Sequence, residues 1–91
     1  MSSELELRRR RAGYRAAHRG TKEMDWLLGR YADWALPGMG EEDLTRFERF
    51  LSIADPELHH WILHPETCTG SEFSSLINQL RSFHQLPSDD V

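Results

Sequence analysis

His60 and His64 stand four residues apart in an apolar-periodic stretch, and Cys68 follows four further on. On a continuous helix that spacing would turn two imidazoles and a thiol to one side, a donor set that zinc accepts. A structural zinc site needs four ligands, however, and no second His or Cys cluster supplies the rest. The bland reading, surface or boundary histidines near a helix end, is the better one. His18 and His84 have no acid or nucleophile at a meaningful spacing, and Cys68 has no positioned base beside it. GxGxxG, P-loop and HExxH patterns are absent from the sequence. Nothing in these residues indicates an enzyme.

A second chemistry is phosphate or carboxylate recognition. Arg8, Arg9, Arg10, Arg11, Arg15, Arg19 and Lys22 make up seven of the eleven Lys and Arg, with no acid between Arg8 and Lys22. The whole chain nevertheless has a formal net charge of −4, so the excess is local and speaks of partners rather than fold. No recognition-helix pattern and no aromatic RNP-like strand accompanies the arginines, which argues against nucleic acid. Acidic protein surfaces, a cofactor phosphate or a plainly solvated helix face remain. Trp26 and Trp34, eight residues apart, share a helix side offset from the main apolar stripe. Either that stripe is wide and packed on two neighbours, or the indoles form an exposed partner patch.

The elements that must position these residues are helices. Met24, Leu27, Leu28, Tyr31 and Ala35 recur at three and four residues, as do Leu44, Phe47, Phe50, Leu51 and Ala54. Leu58, Trp61 and Ile62 give a shorter stripe; Phe73, Leu76, Ile77, Leu80, Phe83 and His84 give a fourth. A less regular helix runs from about Leu5 to Ala17. Gly20 suits a left-handed turn, with Thr21 capping the helix after it. Leu36–Gly40 is a loop by composition, and acids at Glu41, Glu42 and Asp43 open the next helix. Asp55 reads as an N-cap with Pro56 at the first helical position, and Thr69-Gly70-Ser71-Glu72 has capping-box spacing. The expected fold is all-α, a small compact five-helix bundle.

Ninety-one residues make one domain, 1–91, with an ordered core at about 5–86, flexible termini and a frayed tail from Leu86 to Asp90. No apolar run approaches a membrane span, so no membrane insertion is expected. The N-terminus has neither a signal-peptide nor a presequence pattern, and one cysteine closes no internal disulfide. These features predict a cytoplasmic, bacterial protein.

The order of residues adds a resemblance. Arg10-Arg11, Tyr14-Arg15, Arg19-Gly20-Thr21-Lys22-Glu23-Met24-Asp25 and Leu27-Leu28 resemble the RGxxE segment of the SdhE family, the FAD assembly factors of succinate dehydrogenase. Tyr31-Ala32, Leu36-Pro37-Gly38, Asp43-Leu44, Phe47-Glu48, Leu51, Asp55-Pro56-Glu57-Leu58 and Trp61-Ile62 continue the family's order. Leu63-His64-Pro65 departs from it where many members have Gly, leaving the conformation around Cys68 open. The resemblance implies a protein that binds the flavoprotein subunit of succinate dehydrogenase, and in bacteria often that of fumarate reductase. It would promote covalent attachment of the client's FAD while binding no cofactor stably itself. In the family's reaction a histidine of the client attacks the flavin, so the assembly factor contributes a surface. Matched residue by residue, Arg19, Gly20 and Glu23 are the implied centre, with Tyr14, Arg15, Asp25 and Arg11 as flanking partner-binding residues. Arg19 would offer its donor fork to a partner carboxylate. The alternative is a small nucleic-acid-binding or antitoxin-like regulator using the basic N-terminal helix.

Overall fold

The computed structural model describes residues 3–86, and the tail expected beyond Leu86 lies outside the described residues. Five helices form: α1 (Glu4–Ala17), α2 (Lys22–Ala35), α3 (Glu41–Leu51), α4 (Asp55–Leu63) and α5 (Ser74–Phe83). Single 3₁₀ turns at Leu36–Gly38 and Pro65–Cys68 tighten two of the links. Among the described residues there is no strand.

The helix ends show which local signals decided. Ser3 Oγ accepts from the Glu6 amide and Thr21 Oγ1 from the Met24 amide, each relieving an orphan N–H of a first turn. Two expected caps do not form. α4 begins one residue early, with Ala54 as N-cap and Asp55 already helical, because the Asp55 carboxylate is engaged elsewhere. Glu72 pairs with Arg49 at 2.6 Å instead of closing a capping box, and α5 starts only at Ser74, after Ser71 Oγ has accepted from the Phe73 amide.

The apolar stripes meet in one core, with Leu28, Tyr31, Leu44, Phe47, Phe50, Leu58, Ile62, Ile77 and Leu80 fully buried. Ala54, the end of the second predicted stripe, is exposed because α3 has stopped at Leu51. The Tyr31 hydroxyl donates to Gln79 Oε1 at 2.8 Å, and burial pushes its phenol up to about 12, with help from the Asp43 charge. α1 lies along α2 through small residues: Ala12 and Ala16 are buried, and Gly29 sits directly against Ala17.

Two of the N-terminal arginines fasten α1 to the rest of the bundle. Arg8 donates to Glu48 at 2.6 and 3.2 Å and to Thr45 Oγ1 at 2.9 Å, and Arg9 donates twice to the Met39 carbonyl. The hydrogen bond from Arg8, supported by its charge, holds the Glu48 carboxyl below its ordinary value of 4.5. A carboxyl lowered by folding contributes stability above its unfolded value, and that contribution is lost as pH falls through the folded one. Glu48→Gln is therefore expected to be less stable than the parent at neutral pH, the difference closing as pH drops below 4.5. Denaturant midpoints of both proteins between ~pH 7 and ~pH 3 measure this, and a constant difference would exclude it. Glu72, lowered in the same way by Arg49, titrates equally in both proteins and cancels.

Candidate docking site

The RGxxE segment is the turn between α1 and α2. Gly20 sits at φ +119°, where an L side chain is strained, although a Cβ there would meet nothing within 4 Å. The space is open; only the backbone demands glycine. Asp25, in the first turns of α2, reaches back so that its Oδ1 accepts from the amides of Arg19 and Gly20, the latter at 3.1 Å. Two N–H groups left over at the turn are thus satisfied by one carboxylate.

Arg19 points inward, its side chain 11% exposed. Its Nε donates to Asp55 Oδ1 at 2.7 Å, Nη1 to the Leu51 carbonyl, and Nη2 to the Ile53 carbonyl at 2.6 Å. Those carbonyls lie at the C-terminal end of α3 and just beyond it, where helix acceptors lack intrahelical donors. The fork expected to meet a partner's carboxylate is occupied within the chain, tying the α1–α2 turn to the α3–α4 corner. Asp55 was missed as a member of this site, since an acid before proline reads locally as a cap.

The outward-facing residues are others of the same segment. Glu23 is 64% exposed, with His59 Nε2 3.2 Å from its Oε1, and the two rim a shallow depression with Thr21, Met24, Asp55 and Pro56. His59 had no signal in the sequence, because only the packing of α4 brings it there. On the other side Tyr14, 67% exposed, stacks on His18 with ring centroids 3.9 Å apart. Arg15 lies beside this pair, lining a second small hollow with Tyr14, His18 and Arg19. Arg11 and Arg15 are exposed and form no hydrogen bond or ion pair among the described residues. Arg10 reaches Glu6 at 3.8 Å. The continuous cationic block of the sequence is therefore divided, Arg8 and Arg9 inward, Arg11 and Arg15 outward.

The metal face does not assemble as the spacing allowed. Pro65 follows the end of α4, so Cys68 lies on a 3₁₀ turn, buried, with its Sγ donating to the Pro65 carbonyl. Burial pushes the Cys68 thiol up. His60 and His64 remain neighbours, 5.1 Å between centroids, and among the described residues no group of three or more His, Cys, Asp or Glu could hold a metal ion. No described helix is long and apolar enough to cross a membrane. A wide buried stripe is not what Trp26 and Trp34 form, since they are 52% and 63% exposed.

The family model described as "Sdh5: Flavinator of succinate dehydrogenase" matches residues 10–84, from the arginine run to the last turn of α5. The chain belongs to the Sdh5 family. Among individual relatives of this Sdh5-family chain, the FAD assembly factor SdhE of Acetobacter pasteurianus is 45% identical over 58 residues, which is 64% of this chain and 53% of the relative. SdhE of Idiomarina loihiensis is 30% identical over 80 residues, 88% of this chain and 89% of its own. The mitochondrial succinate dehydrogenase assembly factor 2 of Dictyostelium discoideum is 34% identical over 82 residues, spanning 90% of this chain and 57% of that protein. No solved structure matches.

Proposed function

We propose that this Sdh5-family chain binds the flavoprotein subunit of succinate dehydrogenase, and in bacteria that of fumarate reductase, and promotes covalent attachment of FAD to it. It acts as an assembly factor in the bacterial cytoplasm, holds no cofactor of its own stably and performs no bond-making step. The observation that carries the reading is the α1–α2 turn of an Sdh5-family chain, which leaves Gly20 and Glu23 exposed on a backbone fixed by Arg19 and Asp25, with Tyr14, Arg15 and Arg11 exposed on the α1 helix that leads into it. FAD is the client's cargo, and the reactive atoms belong to the client and the flavin. This chain's residues bind and orient. Tyr14 on His18 is an aromatic already held in place, which costs little entropy to bury. Arg11 and Arg15, exposed on α1, steer acidic groups into register. Glu23 accepts from a donor on the client, and Gly20, lacking a Cβ, lets client backbone approach the turn closely.

Gly20→Arg tests this. The substitution places a long side chain where contact is proposed and strains a positive-φ position by about 1–2 kcal/mol, which a folded chain can absorb. Flavinylation of purified, non-flavinylated client is expected to fall at least tenfold while the circular dichroism spectrum keeps its helical form. Gly20→Ala, which brings the strain without the bulk, is expected to lose far less. Full flavinylation with Gly20→Arg would overturn the site.

A further inference from the structure

Trp26 and Trp34 take no part in the turn, yet both are fixed in place. Trp34 leans on Phe83 with centroids 5.4 Å apart, and Trp26 on His84 at 4.6 Å. His84 is itself anchored, its Nε2 donating to the Leu27 carbonyl at 2.7 Å. The end of α5 thus props both indoles from one side and leaves the other side bare. Along α2, Glu23, Trp26, Arg30 and Trp34 follow one another at intervals of three and four residues, all four exposed. Such spacing makes one continuous line on a helix, about 16 Å long over these residues.

We infer that this line is the second half of the docking surface, and that the client flavoprotein covers Trp26 and Trp34 together with the Gly20 turn, the two indoles being its main anchors. The inference rests on the function proposed above. The line starts at Glu23, inside the turn, so a partner seated there needs only to extend along α2 to reach both indoles. It must extend somewhere, because a stable interface takes roughly 800 Å² and 20–30 residues from each partner, and the turn with its α1 neighbours offers a handful. Propped, half-exposed tryptophans are the residue type that carries binding energy at interface centres, and their fixed rings leave little entropy to lose.

Other occupants fit less well. Glu23 and Arg30 cancel along the line, so the line that carries the two indoles has no net charge of its own to recruit nucleic acid or an anionic membrane. A second copy is disfavoured by symmetry. An antiparallel twofold pairing sets Arg30 against Arg30 when Trp26 faces Trp34 of the other copy, and Arg30 against Lys22 when Trp26 faces its own counterpart, two like charges in a drying interface either way.

The test uses the full chain and purified, non-flavinylated flavoprotein subunit, with binding kinetics at low and high salt. Trp34→Gln and Trp26→Gln, both outside the core, are each expected to weaken affinity at least tenfold through faster dissociation, equally at both salt levels. Trp34→Phe, which keeps an apolar ring, is expected to recover much of the loss. Hydroxyl-radical footprinting of the unaltered complex needs no variant: Trp26 and Trp34 should become protected, while half-buried Trp61 serves as reference. Unprotected indoles, or Gln variants that bind like the parent while Gly20→Arg does not, would overturn this inference and leave the docking turn standing. Self-association of the free chain that Trp34→Gln abolishes would overturn it in favour of a second copy. No binding by the unaltered chain would overturn the proposed function and this extension together.

Discussion

Arg19→Ala is expected to lower the free energy of unfolding by about 3 kcal/mol and the melting temperature by roughly 15 °C. The side chain is nearly buried and its three donor groups are all used, on Asp55 and on the carbonyls of Leu51 and Ile53. Truncation leaves the Asp55 carboxylate and two helix-end carbonyls without their donor, and the penalty is the desolvation of those groups rather than the net worth of the pair. Arg19→Lys should fall between, since an ammonium cannot span three acceptors set around a planar fork. Chemical denaturation followed by circular dichroism measures both, and a double-mutant cycle with Asp55→Asn isolates the coupling. If Arg19→Ala keeps parental stability but loses the client, then the fork serves the partner, as the family resemblance suggests on its own.

A loss of similar size is expected for Gly29→Leu, from the opposite cause. A Cβ at Gly29 would lie 3.1 Å from Ala17 Cα and 3.2 Å from its Cβ, and one of those atoms is backbone that cannot swing away. Leucine there must push α1 off α2, opening the seam where Ala12 and Ala16 are buried, at about 3 kcal/mol. For a domain of this size that is a large share of total stability. Because α1 carries Tyr14 and Arg15, the displacement also moves them relative to Glu23 across the turn. Denaturant midpoint and client affinity should fall together. A variant as stable as the parent would show that the two helices do not approach this closely.

What could be read from the sequence was what is local. Periodicity placed the helices, and Gly20 and Thr21 announced the turn, because positive φ and an oxygen for an orphan amide are demands that a neighbouring residue type can reveal. Asp55 and Glu72 misled for the same reason. Each has the local grammar of a cap, yet each carboxylate found a stronger, charge-assisted partner, Arg19 across 36 residues and Arg49 across 23. The arginine run showed its charge but not its division. Arg8 meets Glu48 and Arg9 meets the Met39 carbonyl only once α3 and the loop before it have packed against α1. His59 and the α5 supports under Trp26 and Trp34 were likewise invisible, since each depends on which helix lies next to which.

The clamp from Arg19 to Asp55 also has a bearing on timing. Residues 19–25 are contiguous, yet the turn they build is finished by a carboxylate that leaves the ribosome 36 residues after the arginine. A nascent chain that ends before α4 already contains the whole RGxxE stretch, Asp25 and the carbonyls of Leu51 and Ile53, but it lacks the one carboxylate that the arginine holds. The last tie of the turn is made only once the segment that opens α4 has been made and seated. Neighbouring positions in the sequence thus reach their full set of ties only through a residue made much later, and the turn is a product of the chain's length as much as of its own seven residues.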